Sequence, residues 1–263
     1  MNFETIRHVF LDMDGTIYHG STLYPTTVPF LEFLKRRGVG YTFLTNNSSF
    51  STEEYVAKLA GMGIPAAGRN FYTSTDYAID YLRRNRPEIR KIFLLGMACI
   101  RPAFEAAGFT LDEDAPDAVI VAFDRSLVYE RLCRAAWFLH RGAPGFATHP
   151  DRFCPTDQPT WLPDCGALTA CLETATGVKL KVLGKPDPGM LIAGAARAGV
   201  PAERTLMVGD RLATDIAVGR NAGAAAAWIT PDPAAEPECE LRLAPHVRVR
   251  NLGELQNLWE KER

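Results

Sequence analysis

His8-Val9-Phe10-Leu11-Asp12-Met13-Asp14-Gly15-Thr16 joins a short, largely apolar run to a turn that carries two carboxylates. Three further segments repeat this grammar. Tyr41-Thr42-Phe43-Leu44 runs into Thr45, Leu180-Lys181-Val182-Leu183 leads to Gly184-Lys185, and Thr205-Leu206-Met207-Val208 leads to Gly209-Asp210. Runs this short, rich in Val, Leu and Phe and followed by turn residues, read as buried parallel strands. In open α/β sheets, ligands bind outside the carboxyl ends of the strands. The expectation is therefore that Asp12, Thr45, Lys185 and Asp210 gather at one lip of one sheet.

The four runs are unevenly spaced: two lie before residue 50 and two after residue 180. The stretch between has its own alternation, a strand over Lys91–Leu95, a helix over Arg101–Ala107, a strand over Ala118–Phe123, and helices over Tyr129–Leu139 and Ala167–Thr176. It reads as an inserted α/β domain spanning 80–181, with 1–79 and 182–263 forming the core around it. Within the core, Phe30, Phe33 and Leu34 have helical spacing and Gly38 supplies a stop. Ser51 and Glu54 have capping-box spacing ahead of Tyr55, Val56 and Leu59. Helices are also expected over Asp76–Arg84, Pro188–Ala198, from Asp215 to Ala222, and over Leu252–Trp259, with an exposed loop over Pro231–Glu240.

Bulk properties narrow the class. With 263 residues the chain can bury a large core without staples, and 47% hydrophobic against 23% charged residues is ordinary for a soluble globular protein. A formal charge of -2 argues against a partner held by global charge, so neither a nucleic-acid polymer nor a membrane surface is expected. The six cysteines include no C-x-x-C pair and read as reduced thiols. No basic segment followed by an apolar run opens the sequence, and no apolar stretch approaches a bilayer span, which points to the cytoplasm.

The chemistry begins with Asp12 and Asp14, two residues apart at a strand end and able to face one pocket. One can attack an electrophile while the other shuttles protons. Thr45-Asn46-Asn47-Ser48 offers hydroxyls, amides and backbone N–H groups suited to phosphate oxygens. Lys185, between Gly184 and Pro186, can neutralise a phosphate or a carboxylate as a compact point charge. Asp210 and Asp215 add a second acidic pair. Carboxylates converging without a cation raise one another's pKa values, and a hard ion such as Mg²⁺, bound through carboxylates, waters and phosphate, relieves that conflict. The five histidines have no H-E-x-x-H spacing.

Asp-x-Asp-Gly-Thr, Thr-Asn-Asn-Ser, Gly-Lys-Pro and Gly-Asp-Arg-Leu-x-Thr-Asp, in this order, resemble the four motifs of haloacid-dehalogenase (HAD) superfamily phosphatases. Thr-Asn-Asn-Ser-Ser and Gly-Asp-Arg-Leu-x-Thr-Asp-Ile point further, to the p-nitrophenyl-phosphatase-like, NagD-type subfamily, and the insert resembles its C2-type cap. The resemblance implies a Rossmann-like parallel-sheet core with an inserted α/β cap, and a Mg²⁺-dependent phosphatase of small phosphorylated metabolites. By position, Asp12 is the implied nucleophile and Asp14 the implied acid and base. Mg²⁺ would sit on the Asp12 carboxylate, the Asp14 carbonyl and the Asp210 carboxylate, with Asp215 holding metal-bound water. Thr45, Asn46 and Lys185 would hold the phosphoryl oxygens, with Asn47 nearby. The resemblance admits a homodimer through the cap.

Two competing readings stay open at this level. A phosphomutase or phosphotransferase would use the same aspartyl-phosphate, and a non-enzymatic signalling module would merely accept phosphate on Asp12. Within the insert, Phe153 to Gly166 is loop-like and carries Trp161, Asp164 and Cys165, which are expected to face the substrate. Similar caps often show Pro-Gly-Thr-Gly-Ala where this chain has Pro163-Asp164-Cys165-Gly166-Ala167.

Overall fold

The computed structural model describes residues 1–155, 159–234 and 240–261. Cys239 and the central part of the expected 231–240 loop lie outside the described residues. The chain opens with β1 (His8–Leu11), a small hairpin of β2 (Tyr18–His19) and β3 (Thr22–Leu23), α1 (Thr27–Arg36) and β4 (Gly40–Thr45). There follow α2 (Thr52–Gly61), β5 (Phe71–Thr73), α3 (Ser74–Asn85), β6 (Lys91–Leu95), α4 (Arg101–Ala106), β7 (Thr110–Leu111) and β8 (Ala118–Val121). Next come α5 (Tyr129–His140), β9 (Gly145–Ala147), β10 (Phe153–Pro155), β11 (Trp161–Pro163), α6 (Cys165–Thr176) and β12 (Lys181–Val182). The chain closes through α7 (Pro188–Arg197), β13 (Thr205–Gly209), a π-helical turn over Leu212–Ile216, α8 (Ala217–Asn221), β14 (Ala225–Ile229), β15 (Val247–Val249) and α9 (Leu252–Lys261). No described helix is long and apolar enough to cross a membrane.

Two compact units result. The first comprises Met1–Thr45, Val56–Tyr72 and Lys185–Arg263, the second Asn46–Tyr55 and Thr73–Gly184. Against boundaries expected at 79/80 and 181/182, residues 46–55, 73–79 and 182–184 also fall in the second unit.

The first unit is built on a sheet of order β15-β14-β13-β1-β4-β5. The pairings from β15 through β4 are all parallel, with His8 opposite both Thr205 and Gly40. Val9, Phe10 and Leu11 at its centre are wholly buried, as are Leu206, Met207 and Val208 beside them. That is why these strands read as unbroken apolar runs rather than as alternating ones. Trp259 of α9 stacks on Phe3 at 4.8 Å and meets Phe33 of α1 edge-on at 5.7 Å, closing one flank.

The second unit has its own five-stranded parallel sheet, β12-β9-β8-β6-β7. Its core joins Phe93, Val119, Val121, Leu139, Leu168 and Leu172. Here the expectation of four strands in one sheet fails. Only β1, β4 and β13 share the first sheet, whereas the Leu180–Leu183 run shortens to β12 and pairs with β9. Both residues of β12 are exposed, so this strand is a sheet edge and not a buried centre.

The expected loop from Phe153 to Gly166 is also corrected. It contains the antiparallel β10–β11 pair, with Phe153 opposite Pro163 and Pro155 opposite Trp161. The helix expected from Asp215 starts earlier, in the π-helical turn at Leu212. The Ser51–Glu54 capping box forms, with Ser51 N–H donating to Glu54 Oε2 at 2.7 Å and Glu54 N–H to Ser51 Oγ at 3.2 Å.

At the amino end of β1, the His8 ring lies against the backbone of Gly40, where a Cβ would stand 2.6 Å from Nδ1. Its Nε2 pairs with Thr42 Oγ1 at 2.9 Å. Burial lowers its pKa to about 4 from the ordinary 6.5. The folded state therefore refuses a proton that the unfolded chain accepts, so stability is complete above pH 6.5 and is lost as pH falls towards 4. Between pH 6.5 and pH 5 the loss is about 2 kcal/mol. Urea unfolding at those two pH values should give a smaller acid loss in His8→Gln than in the parent, and equal losses would remove His8 as the cause.

Candidate active site

Asp12 leaves β1 with its N–H still bonded to Val208 O at 2.9 Å, so the neighbouring strand fixes where its side chain starts. Its carboxylate is buried and pairs through Oδ1 with Lys185 Nζ. Lys185 is only 2% exposed. Its ammonium also donates to Asp215 Oδ1 at 2.7 Å and to Leu44 O, the residue before Thr45, at 3.0 Å. The lysine thus reaches the ends of β1 and β4 without belonging to a strand of their sheet, because the chain re-enters the first unit at this residue.

The acids divide by what their oxygens already hold. Asp215 is 1% exposed, and both its oxygens are engaged, Oδ1 by Lys185 and Oδ2 by the Arg211 N–H at 3.0 Å. The π-helical turn brings it back under β13, against Gly209, where a Cβ would lie 2.3 Å from Asp215 Cβ. Asp210 is held through its backbone carbonyl, which accepts from Trp228 Nε1 at 2.8 Å. Its Oδ1 is buried with no hydrogen-bond partner. Gly15, at φ +86°, allows the Asp12–Thr16 turn to pass so close that a Cβ there would stand 2.4 Å from Asp210 Oδ2. Asp14 is different: its side chain is 53% exposed, 3.7 Å from His19 Nδ1.

The electrostatics follow from this crowding. Burial, then the Asp215 carboxylate, push Asp12 well above the usual carboxylate range, against the pull of Lys185. Burial opposes the charge on Lys185, but Asp12 and Asp215 outweigh it and hold the ammonium protonated beyond its ordinary range. Burial and Asp215 raise Asp210 to about 6. One oxygen each from Asp12, Asp210 and Asp215 lie within 4.8 Å of one another. An orphaned, buried carboxylate oxygen beside a second carboxylate is a donor set that fits a hard divalent cation.

Thr45 is buried at the end of β4. Asn46 and Asn47 fall in the second unit's first segment. The Asn46 carbonyl accepts from Ser74 Oγ at 2.5 Å, and Asn47 Oδ1 accepts from the Ser49 N–H at 2.8 Å and Ser49 Oγ at 2.7 Å. So Asp12, Thr45, Lys185 and Asp210 belong to one unit, Asp14 stands at its surface, and both asparagines belong to the other. Of the insert residues expected to face a substrate, Trp161 is exposed, whereas Asp164 and Cys165 are buried. Cys165 Sγ donates to Val121 O at 3.3 Å, and burial lifts its thiol to about 11, so it is a core residue. Sequence reasoning missed Trp228, whose apolar run gave no hint of its hydrogen bond to Asp210.

With this geometry in view, comparison with known proteins is decisive. A haloacid dehalogenase-like hydrolase model matches residues 9–110, and a HAD-hydrolase-like model matches residues 182–255. The chain belongs to the haloacid dehalogenase-like hydrolases. Among them it is similar to the 5'-nucleotidase YutF of Bacillus subtilis, 34% identical over 84% of this chain and 85% of that protein. The ribonucleotide monophosphatase NagD of Escherichia coli is also 34% identical, over 83% and 85%. The crystal structure of a 4-nitrophenylphosphatase from Thermotoga maritima superposes with a TM-score of 0.90 at 37% identity, covering 98% of each chain. This HAD hydrolase is thus a phosphoric monoester hydrolase of the NagD type.

The Asp210 geometry makes a prediction independent of turnover. Without a divalent ion, the folded state holds the Asp210 proton more tightly than the unfolded chain, whose carboxyl titrates near 3.8. Stability is then withdrawn as pH rises from about 4 through about 6. In EDTA at pH 7.5, Asp210→Asn should be more stable than the parent by up to about 3 kcal/mol in urea unfolding. Adding Mg²⁺ should stabilise the parent and leave the variant unchanged. A variant no more stable than the parent in EDTA would show that Asp210 is not under charge stress.

Proposed function

We propose that the enzyme is a Mg²⁺-dependent phosphatase that hydrolyses small phosphorylated metabolites, such as sugar phosphates, nucleotides or aryl phosphates, through an aspartyl-phosphate on Asp12. The observation that carries this reading is the Lys185 ammonium shared between Asp12 and Asp215, beside the unpartnered Asp210 oxygen. It orients Asp12 and places a positive charge in a buried site where phosphoryl charge must be neutralised. Phosphoryl transfer asks for positioning and charge compensation, and this inventory supplies both.

In the proposed sequence, an Asp12 oxygen attacks phosphorus and the ester P–O bond breaks. Asp14 gives its proton to the departing alcohol oxygen, a role suited to a carboxyl that is exposed and free of the buried network. Water then attacks the phosphorus of the aspartyl-phosphate, Asp14 takes its proton, and phosphate leaves with the Asp12 carboxylate restored. Lys185 and Thr45, with Asn46 and Asn47, hold phosphoryl oxygens. Mg²⁺, held by the Asp12 carboxylate, the Asp14 backbone carbonyl and the Asp210 carboxylate, supplies charge neutralisation and orientation. Asp215 acts through Lys185 and Arg211. The second unit serves as the cap, and through it two copies form a homodimer in the cytoplasm.

The reading is tested by phosphate release from a panel of phosphorylated metabolites, with Mg²⁺ and with EDTA. Turnover should require the metal. Asp12→Asn should abolish it without altering the circular dichroism spectrum, and Asp14→Asn should slow it about 10³-fold, the scale of general acid–base catalysis. Undiminished release by Asp12→Asn would end the assignment. Transfer to an added alcohol in preference to water would reassign the enzyme as a phosphotransferase.

A further inference from the structure

The second unit carries a donor set that phosphate-ester hydrolysis does not use. His149 lies two residues beyond β9, Asp151 follows it closely, and Asp164 caps the amino end of α6, its Oδ1 accepting from the Cys165 N–H at 2.6 Å. One ring nitrogen of His149 and one oxygen from each carboxylate lie within 4.8 Å of one another. The ring is wholly buried. Its Nε2 faces Ser48 Oγ at 3.1 Å and Asp164 Oδ1 at 3.5 Å. Its Nδ1 has no hydrogen-bond partner and faces Asp151 Oδ2 at 3.5 Å. An imidazole nitrogen left in this state is costly, and the groups turned towards it are anions.

We propose that His149, Asp151 and Asp164 form a second cation site, one that takes Zn²⁺ in preference to Mg²⁺. A nitrogen donor with two carboxylates suits a first-row transition ion, whereas Mg²⁺ favours oxygen donors and retained waters. His149 Nδ1 and Asp151 Oδ2, 3.5 Å apart, match neighbouring ligands of an ion that binds each at about 2.0–2.2 Å. The ring is oriented from its far side, as metal-binding histidines are. Ser48 Oγ sits at Nε2 and is itself fixed by the Phe123 N–H at 2.9 Å and Thr148 Oγ1 at 3.2 Å. Nδ1 is the nitrogen left for the ion.

The placement gives the site a task. Asp151 stands just before β10 and Asp164 just after β11, so the two carboxylates mark the feet of one hairpin. Those feet are already drawn together, with the Asp164 N–H donating to Arg152 O at 3.0 Å and the Gly166 N–H to Asp151 O at 2.8 Å. Gly166 is obligatory there, since a Cβ would stand 2.1 Å from Pro150 O. An ion clamps the base of the hairpin, on which Phe153 and Trp161 stack at 4.3 Å with planes 9° apart.

The test is equilibrium dialysis of the full chain against Zn²⁺ with Mg²⁺ in large excess, so that the Asp12–Asp210 cluster is filled by the competitor. The parent should retain a zinc ion per chain. His149→Asn and Asp151→Asn should each bind it on the order of tenfold or more weakly. No retention by the parent, or equal retention by the variants, would overturn the proposal. Should a variant fail to fold, nitrogen-15 NMR of the parent's histidine rings decides instead. The His149 Nδ1 resonance should move on adding Zn²⁺ but not Mg²⁺, and an unmoved resonance would reject the site.

Discussion

The structure of the site depends on one buried ammonium. Lys185 is sequestered from water, a position a lysine occupies only when anions and acceptors replace its hydration. Asp12, Asp215 and the Leu44 carbonyl do so. The dependence runs both ways, because the same ammonium offsets the charge of two carboxylates crowded together at that depth. Residues with no chemistry of their own then become fixed. Gly209 must lack a side chain so that Asp215 can lie beneath it, and Gly15 must lack one so that the Asp12–Thr16 turn can pass Asp210.

Four aspartates of identical intrinsic chemistry are separated into different tasks by their partners alone. Asp12 is paired but keeps one oxygen outside the lysine contact. Asp215 has neither oxygen to spare, which makes it a strut for the lysine and the π-helical turn. Asp210 is buried with an oxygen unclaimed, the state that invites a cation. Asp14 stays half exposed, outside the contacts that hold the other three. Roles of this kind reside in the hydrogen-bond ledger around each carboxylate.

Much of this was legible in the sequence, and the exceptions have physical causes. β1, β4 and β13 announce themselves because parallel strands buried on both faces demand continuous apolar runs. Asp12, Asp210 and Lys185 could be singled out because each ends such a run or follows its turn. What a run does not encode is which sheet it joins. Leu180–Leu183 resembles the others, yet pairs at an exposed edge beside β9, so its lysine was expected on the wrong support. Strands of two or three residues, such as β9, β10, β11 and β15, are too short for any period to emerge. His149 was unreadable for another reason: its only distinction is an unpartnered nitrogen, and that exists only once Ser48, Asp151 and Asp164 surround it.

The register of the first sheet also sets a timetable for the ribosome. β1 leaves the exit tunnel long before the strand it pairs with on one side, His8 against Thr205. Until then β1 has only β4 as a neighbour, and its other edge offers unpaired N–H and C=O groups to any strand that comes near. The whole inserted segment is synthesised during that interval and can reach its own parallel sheet first, because none of its strand pairings calls on residues after Val182. Lys185 emerges as that segment finishes, and β13 soon after. Translation therefore delivers the buried cation before β13 and before Asp215, one of the two carboxylates that hold it, and a chain truncated ahead of β13 would carry an ammonium short of an anion and a half-built sheet.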